Sequence, residues 1–318
     1  MEKNNLGRTG FAVSRLCFGT LTIGPLQAAL SLDDGASLLS VAISKGVNFF
    51  DTAQLYCTYP YIRRAIQLSG YPDDIVISTK TYAYDQAGAK AALEQARREL
   101  DRDYINIFLL HEQEGEDTLR GHREALEYLL GEKARGVIGA VGISTHRVAG
   151  VIAGVRHGLD VVHPIVNVDG LGIIDGSRAD METALTQADS LGVGIYSMKA
   201  IGGGNLFHKA ESCLEYVRGA SFLHSVAVGM QNTDELLANI DFFEGKGFPL
   251  SARAATQNRA RRLHIEDWCT GCGACIMRCG QGALELTGNP LAACVDTQRC
   301  IICGYCGAVC PEFAIKIV

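Results

Sequence analysis

Two runs of four cysteines with the same spacing constrain the fold of this chain more than any other feature. Each run reads Cys-x2-Cys-x2-Cys-x3-Cys, and Cys300 of the second run stands 31 residues after Cys269 of the first. The similarity extends beyond the cysteines, because Ala283-Leu284 corresponds at the same offset to Ala314-Ile315. The pattern therefore indicates a duplicated structural unit at the C-terminal end of the sequence.

This repeated spacing, with Pro311 after the last cysteine, resembles the bacterial ferredoxin signature for two [4Fe–4S] clusters. In that signature one tight loop supplies three thiolates to a cluster, and the other run supplies the fourth. Gly280 stands where the signature usually has proline, which removes no ligand. The resemblance implies one cluster on Cys269, Cys272, Cys275 and Cys310, and the other on Cys300, Cys303, Cys306 and Cys279.

Zinc and disulfide bonds are the alternative explanations for so many cysteines. Two C-x2-C pairs alone are compatible with structural zinc, but the duplicated pattern favours iron–sulfur clusters. Disulfides are disfavoured because the N-terminal residues lack the apolar segment of a secretion signal. We therefore expect a reducing, cytoplasmic location and an anaerobic or oxygen-sensitive setting.

The composition allows one large globular domain and a small one. The chain has 318 residues, of which 47% are hydrophobic, and a net charge of −6. The negative charge argues against nucleic acid as a partner. No run of about 20 apolar residues is present, so no membrane span is expected.

Upstream of the cysteines, short apolar runs alternate with amphipathic stretches of helical period. Eight such units predict an α/β fold, a (β/α)8 TIM barrel, followed by a small α+β ferredoxin-like domain. Asp85 is predicted to cap the helix after the third run, and a hairpin around Arg8-Thr9-Gly10 is expected to close the barrel floor. The predicted strands are 16–19, 48–51, 75–80, 105–111, 137–144, 161–167, 194–199 and 226–229.

The barrel pattern ends near Gly247, and we place the domains at residues 1–247 and 264–318. Residues 248–263 form a linker or a helix, and the sequence does not decide between them. The arginines of this stretch fit either a solvated face or a counter-charge for the anionic clusters. They are Arg253, Arg259, Arg261 and Arg262.

Polar side chains stand at the ends of the second, third and fourth predicted strands, where barrels of this kind place catalytic residues. They are Asp51, Lys80 and His111, and Tyr56 follows Asp51 in the next loop. We expect the charge of Lys80 to lower the pKa of Tyr56, which would serve as general acid toward a developing alkoxide. His111 would orient a carbonyl or relay a proton. Taken singly, each residue also fits a structural role.

Together these residues resemble the aldo/keto reductase superfamily, whose Asp-Tyr-Lys-His tetrad they match in order. The likeness covers roughly residues 5 to 240, and the whole chain resembles the branch with an appended ferredoxin domain. It implies an oxidoreductase acting on a small-molecule carbonyl or alcohol with NAD(P)H. The motifs are Phe49-Phe50-Asp51-Thr52-Ala53-x-x-Tyr56, Ser78-Thr79-Lys80, Leu109-Leu110-His111 and Gly142-Ile143-Ser144.

The resemblance also implies a nicotinamide site. The family holds the carboxamide with side chains after strands five and six and stacks the ring on an aromatic residue of strand seven. Gly203, in the glycine loop, would let backbone amides approach the pyrophosphate, and Asn239 matches an adenine contact. Thr145 and His163 replace the usual asparagine and glutamine. The implied carboxamide and ring contacts are Ser144, Thr145, His163, Asn167 and Tyr196.

The loop after the eighth strand departs from the family. Residues 229–239 contain no lysine or arginine, whereas the NADPH-dependent family uses basic residues there for the 2′-phosphate. Each charge-assisted hydrogen bond is worth about 1.5–3 kcal/mol. We therefore expect NADH to be favoured, or nicotinamide binding to be weak.

A nicotinamide transfers two electrons as a hydride, whereas an iron–sulfur cluster transfers one. Proteins that couple the two usually hold a flavin between them, and no flavin motif is recognised here. Three functions therefore stay open. In the first, the barrel acts on a carbonyl or alcohol and the clusters carry electrons, with a redox partner protein. In the second, the barrel uses NAD(P)H alone and the clusters are structural or redox-sensing. In the third, the chain is an electron carrier or docking subunit. The complete tetrad and the weakened phosphate site favour the first.

The other cysteines are expected to be ordinary. Cys57 replaces the family's glycine beside Tyr56, and we interpret it as a small buried filler. A contact with substrate or with a cluster is the alternative. Cys17, Cys213 and Cys294 are interpreted as reduced thiols.

Overall fold

A computed structural model of the chain describes residues 1–248 and 261–318. Most of the predicted connection at 248–263, including Arg253 and Arg259, lies outside the described residues. Within the described part, no helix is both long and apolar enough to cross a membrane.

Each of the eight predicted apolar runs overlaps a β-strand, with the ends shifted by a few residues. The barrel strands are β3 (Leu16–Gly19), β4 (Phe49–Asp51), β5 (Val76–Thr81), β6 (Ile105–Leu110), β7 (Ile138–Thr145), β8 (Val161–Pro164), β9 (Gly194–Ser197) and β10 (Ser225–Gly229). They are parallel and close on themselves in the order β10-β3-β4-β5-β6-β7-β8-β9. The barrel prediction is confirmed.

The helices surround the barrel and bury their apolar faces against it. They are α1 (Leu32–Ser44), α2 (Tyr59–Leu68), α3 (Gln86–Leu100), α4 (Glu116–Gly121), α5 (Arg123–Ala134), α6 (Val148–Arg156), α7 (Arg178–Ser190), α8 (Ala210–Gly219) and α9 (Thr233–Phe243). The predicted cap of α3 is present, because the Asp85 side chain accepts a 2.7 Å hydrogen bond from the Gly88 amide. Such a cap typically contributes about 1 kcal/mol.

A two-stranded hairpin closes the N-terminal end of the barrel. Strands β1 (Lys3–Asn5) and β2 (Ala12–Ser14) pair antiparallel. Leu6 and Val13 are fully buried and pack in one cluster with inward-facing barrel residues such as Phe49. The hairpin thus fills the floor, as the sequence predicted, and leaves the opposite end for the site.

The C-terminal unit consists of two small sheets around a compact core. Strand β11 (Leu263–Ile265) pairs with β14 (Ile315–Ile317), and β12 (Leu284–Thr287) pairs with β13 (Ala292–Val295). A short helix, Ala274–Arg278, follows the first cysteine loop. Because β11 and β14 come from the two ends of the unit, their pairing holds the two copies of the repeat together.

Strand β14 packs against the glycine loop that follows β9 at the mouth of the barrel. The Asn205 side-chain amide donates a 2.9 Å hydrogen bond to the carbonyl oxygen of Ile315. A Cβ atom at Gly204 would overlap the carbonyl oxygen of Ile317. Phe313, just before the strand, is 1% exposed and lies against Gly172. The C-terminal unit therefore sits over the end of the barrel that carries the predicted catalytic residues.

Candidate active site

A buried ion pair between Asp51 and Lys80 lies at the centre of the site. Asp51 ends β4 and Lys80 lies in β5, so the barrel closure places the two side chains side by side. The Lys80 ammonium lies 2.8 Å from the Asp51 carboxylate and donates a 2.8 Å bond to the Thr52 carbonyl oxygen. Both side chains are nearly excluded from water. Removing either partner would leave the other charge uncompensated.

Tyr56 lies in the short 3-10 turn after β4 and faces both Lys80 and His111. The Lys80 ammonium is 4.8 Å from the centre of the Tyr56 ring. The rings of Tyr56 and His111 meet edge to face, with centroids 5.8 Å apart. The structure therefore brings the four sequence-predicted residues together, with the tyrosine between a cation and an imidazole.

The expected lowering of the Tyr56 pKa by Lys80 is wrong. Burial raises the pKa of the Tyr56 hydroxyl well above its usual value, and the negative charges of Asp51 and Glu112 raise it further. The Lys80 charge is largely balanced by Asp51. The Tyr56 hydroxyl is therefore protonated at neutral pH.

His111 is held by a second tyrosine that the sequence reasoning missed. The ring of Tyr82 stacks on the imidazole with centroids 4.3 Å apart, and the Tyr82 hydroxyl donates to Glu112 at 2.7 Å. Burial lowers the pKa of His111 well below its usual value, and the nearby Lys80 charge adds to the effect. The imidazole is therefore neutral at neutral pH. Tyr82 follows the third predicted strand by two residues, so the strand-end argument could have found it.

The side chains predicted to hold the carboxamide are buried, and they form hydrogen bonds with other residues of the chain. The Ser144 hydroxyl accepts a 2.8 Å bond from the Glu112 amide, and Thr145 accepts a 3.0 Å bond from the Arg147 amide. The Asn167 side chain donates to the Leu171 carbonyl oxygen and accepts from its amide. These groups brace the loops after β7 and β8.

His163 covers the ring on which a nicotinamide was expected to stack. Its imidazole lies on the Tyr196 ring with centroids 3.9 Å apart and 16° between the planes. The other contacts of Tyr196 are an edge-to-face contact with Phe49 and hydrogen bonds of its hydroxyl to Asp51 and Ser78. Burial lowers the pKa of His163 to about 4, so the covering ring is neutral.

The remaining predicted dinucleotide contacts, Gly203 and Asn239, differ in how far the protein occupies them. A Cβ at Gly203 would approach the Lys316 side chain to 2.7 Å, so β14 lies on the glycine loop. The Asn239 amide nitrogen donates a 2.8 Å bond to the Glu235 carbonyl oxygen within α9, whereas its Oδ1 is buried without a hydrogen-bond partner among the described residues. A dinucleotide bound as in the family requires these surfaces, and in this structure the residues do not fit it.

Lys199, Lys316 and Phe313 lie where the C-terminal unit meets the barrel mouth. None of the three was predicted from the sequence as a site residue. The Phe313 ring lies 5.1 Å from the Lys199 ammonium and 3.4 Å from the Lys316 ammonium. The Lys199 ammonium lies 2.7 Å from His146 Nε2. Burial lowers the pKa of Lys199 to about 8. The repeat offers a sequence signal for these two residues. Phe313 and Lys316 of the second copy stand where the first copy has Gly282 and Glu285.

Four of the predicted cluster ligands surround one pocket. Its lining includes Cys269, Cys272 and Cys275 from the first run and Cys310 from the end of the second. Backbone amides donate to two of these sulfurs, Ala293 to Cys269 at 3.4 Å and Ala314 to Cys310 at 3.2 Å. Amide donors to cluster sulfurs are a known means of setting reduction potential. The donor set and the pocket fit a [4Fe–4S] cluster.

The other four predicted ligands are placed in the same small core. Cys306 is buried and Cys279 and Cys300 are partly buried there, while Cys303 is exposed. The Ala283 amide donates to Cys279 at 3.4 Å, the counterpart of the bond to Cys310 in the other copy. No group of three or more His, Cys, Asp or Glu side chains in residues 1–248 and 261–318 is drawn together as around a single ion.

The four remaining thiols differ in exposure. Cys57 is exposed and has a left-handed backbone, with φ of 55°. The expectation of a buried filler is therefore wrong, and the family's glycine at this position explains the conformation. Cys17 and Cys213 are buried, and Cys294 is exposed.

Comparison with known families matches both parts of the chain. Residues 15–216 match the model of the aldo/keto reductase family, and residues 263–285 match that of the 4Fe-4S binding domain. L-galactose dehydrogenase of Arabidopsis thaliana is 25% identical over 73% of this chain and 78% of its own length. A protein named probable voltage-gated potassium channel subunit beta, from the same plant, is 30% identical over 41% of this chain. That match spans 43% of the plant protein.

Solved structures share the barrel fold. An aldo-keto reductase from Pseudomonas aeruginosa aligns with a TM-score of 0.66 at 24% identity, over 76% of this chain and 95% of its own. The holo form of an aldo-keto reductase from Bacillus halodurans aligns with a TM-score of 0.64 at 20% identity, over 81% and 95% of the two chains. At this identity the structures establish the fold alone. From the family matches, the chain belongs to the aldo/keto reductase family of oxidoreductases and carries a 4Fe–4S binding domain after the barrel.

Proposed function

We propose that this oxidoreductase reduces a small carbonyl compound, or oxidises the corresponding alcohol, with Tyr56 as the acid or base at the substrate oxygen. The observation that carries the proposal is the position of Tyr56 between the Lys80–Asp51 ion pair and the neutral imidazole of His111. A positioned general acid typically contributes a factor of about 10² to 10⁴ in rate. Because burial raises its pKa, the Tyr56 hydroxyl is protonated at neutral pH and can be the acid in the direction of reduction.

The eight cysteines support two [4Fe–4S] clusters as the electron carriers. We assign Cys269, Cys272, Cys275 and Cys310 to one cluster, and Cys300, Cys303, Cys306 and Cys279 to the other. A bound cluster of this type exchanges one electron at a time. Reduction of a carbonyl to an alcohol takes up two electrons and two protons. Tyr56 donates one proton to the oxygen, and the second comes from solvent.

Two one-electron centres match the two electrons that the reaction needs. An external one-electron donor, a redox protein of the ferredoxin class, would restore the reduced state after each turnover. A nicotinamide dinucleotide is the reductant that the family uses, and of the two forms NADH is the one that needs no basic residue in the loop at 229–239. Its direct test is the dinucleotide titration described below.

The alternative is an electron-transfer or redox-sensing subunit whose barrel mainly docks a partner. The observation in its favour is the seating of Phe313 and β14 on the barrel mouth. The two functions differ in what Tyr56 does. Only an enzyme needs the Tyr56 hydroxyl for turnover.

The test uses the anaerobically purified holoprotein with its iron content measured. The clusters are reduced with dithionite, excess reductant is removed, and aldehydes, ketones and 1,2-dicarbonyl compounds are added. Cluster reoxidation is followed by absorbance and the alcohol product by chromatography. We expect Tyr56→Phe to lose at least about 100-fold in turnover, and exposed Tyr71→Phe to lose none. Equal rates in Tyr56→Phe and the native protein would support the docking alternative.

A further inference from the structure

We infer that the barrel mouth excludes a nicotinamide dinucleotide, and that electrons reach it from the cluster assigned to Cys269, Cys272, Cys275 and Cys310. This inference rests on the function proposed above and deepens it. Separate contacts close the positions of the nicotinamide ring, the carboxamide and the pyrophosphate. A further set of contacts links the cluster to the mouth.

The ring position is closed by His163. Its imidazole lies flat on Tyr196, and its Nδ1 lies 2.7 Å from the Tyr196 carbonyl oxygen, so ring and backbone hold it together. His163 is 2% exposed and Tyr196 is fully buried. A nicotinamide stacking on Tyr196 would have to displace a buried, hydrogen-bonded side chain, which adds a desolvation cost to binding.

The carboxamide position offers few free polar groups. Ser144, Thr145 and Asn167 are fully buried. The Asn167 side chain holds Leu171 through one N–H and its Oδ1, at 2.8 and 2.9 Å. A carboxamide that took over these two positions would have to break both bonds. Exchange of one buried hydrogen bond for another yields little net free energy.

The pyrophosphate position is covered by the protein's own strand. Lys316 lies over Gly203, and the Ile317 carbonyl oxygen lies where a Cβ of Gly204 would be. The Asn205 amide fixes the contact through its bond to the Ile315 carbonyl oxygen. Gly203 and Gly204 have φ of 60° and 84°. The close approach that glycine permits is thus used for β14 rather than for phosphate.

The segment before the first cysteine of one predicted cluster and the segment after its last cysteine both lie at the barrel mouth. Glu266 stands three residues before Cys269, and its amide donates a 2.9 Å bond to the carbonyl oxygen of Ala314, the residue after Phe313. Phe313 stands three residues after Cys310, and its amide donates a 3.1 Å bond to the Cys310 carbonyl oxygen. A cluster on these cysteines would therefore lie beside the mouth.

The Phe313 ring completes the connection to the barrel. Its centroid lies 6.0 Å from that of His146, in an edge-to-face contact, and the ring is 1% exposed. The Lys199 ammonium lies 5.1 Å from the ring, and burial lowers its pKa only to about 8, so it is a cation at neutral pH. The Lys316 amine lies 3.4 Å from the ring, and burial lowers its pKa well below the usual lysine value. Positive charge favours the arrival of an electron at low dielectric. The contacts form a continuous packed path from a cluster ligand to the strand ends of the barrel.

The test combines a binding titration with a rate measurement on the full-length anaerobic holoprotein. NADH and NADPH are each added to about 1 mM, the upper end of common KM values. Cluster absorbance reports electron transfer and equilibrium dialysis reports binding. An NADPH-dependent aldo/keto reductase serves as positive control. We expect no saturable binding and no bleaching, whereas dithionite bleaches the clusters.

The electron route is tested with Phe313→Leu, which keeps an apolar side chain. We expect carbonyl-driven reoxidation of the clusters to slow at least about 10-fold, since a small misplacement at a reacting contact is costly. Iron content and reduction by dithionite should not change. Ile301→Leu, an exposed position in the same unit, is the matched control.

Each outcome decides one part of the inference. Saturable binding of either dinucleotide, or bleaching by it, overturns the exclusion while the proposed function stands. A native rate in Phe313→Leu overturns the route. If no carbonyl compound is reduced by any donor, the proposed function and the route fail together. The titration alone then decides the exclusion.

Discussion

The imidazole of His163 and the phenol ring of Tyr196 form a parallel stack in the barrel mouth, with centroids 3.9 Å apart. The family usually has glutamine at the position of His163. At the position of Tyr196 it has an aromatic residue whose ring face receives the nicotinamide. A glutamine side chain holds a carboxamide from the side, whereas an imidazole covers the aromatic face.

The buried His163 should make stability depend on pH. Its folded pKa of about 4 lies below the unfolded value of 6.5, so the unfolded chain binds the extra proton. Stability from this group is complete above pH 6.5 and is lost as pH falls toward 4, by about 2 kcal/mol between pH 7 and pH 5. Asp51, Lys80 and Lys199 are the charged groups acting on it.

The measurement is the thermal midpoint of the native protein and of His163→Gln across this range. The difference between the two thermal midpoints should narrow as pH falls, because only the native protein loses the stability that the neutral His163 provides. His208→Gln, at an exposed imidazole, should track the native protein. A constant gap would show that His163 does not titrate on unfolding.

Lys80→Met should destabilise the barrel strongly. The Asp51 carboxylate is 5% exposed and would lose its ammonium partner at 2.8 Å. Breaking a buried pair on one side typically costs about 3–5 kcal/mol. The double variant Asp51→Asn/Lys80→Met should recover much of the loss, because no unpaired charge remains. Chemical denaturation of the native protein, Asp51→Asn, Lys80→Met and the double variant gives the coupling free energy, and additive losses would contradict the prediction.

Tyr82 should act by positioning His111. Its ring stacks on the imidazole and its hydroxyl is tied to Glu112. Tyr82→Leu removes the stack and should lower turnover about 10- to 100-fold through misalignment, whereas Tyr82→Phe keeps the ring and should lose less. The measurement is dithionite-driven carbonyl reduction. Equal losses of turnover in the two variants would show that the Tyr82 hydroxyl, and not the stacked ring, is responsible.

The fold and the tetrad could be predicted because their signals are local. Strand runs of the right period fix the barrel. Asp51, Lys80 and His111 follow from the rule that such barrels place catalytic groups at strand ends. The pKa of Tyr56 could not be predicted, because its sign depends on burial and on Glu112 and Glu266, which only the packed structure brings near.

The docking of the C-terminal unit had no sequence signal strong enough to predict it. It depends on pairs far apart in the chain, such as Asn205 with Ile315. The glycine loop was interpreted as a phosphate site because glycine permits any close backbone approach, whether to a ligand or to a strand. A residue type that serves both purposes cannot distinguish them.

Gly204→Ala should loosen the C-terminal unit from the barrel. The new Cβ would overlap the Ile317 carbonyl oxygen, and the φ of 84° is unfavourable for alanine. Gly70→Ala is the matched control, because Gly70 also has a positive φ, of 76°, but has open space around it. Both variants carry the backbone strain, of about 1–2 kcal/mol, and only Gly204→Ala adds the collision. Hydrogen exchange at residues 315–317 should therefore speed up in Gly204→Ala alone, and equal protection in the two variants would contradict a tight seat for β14.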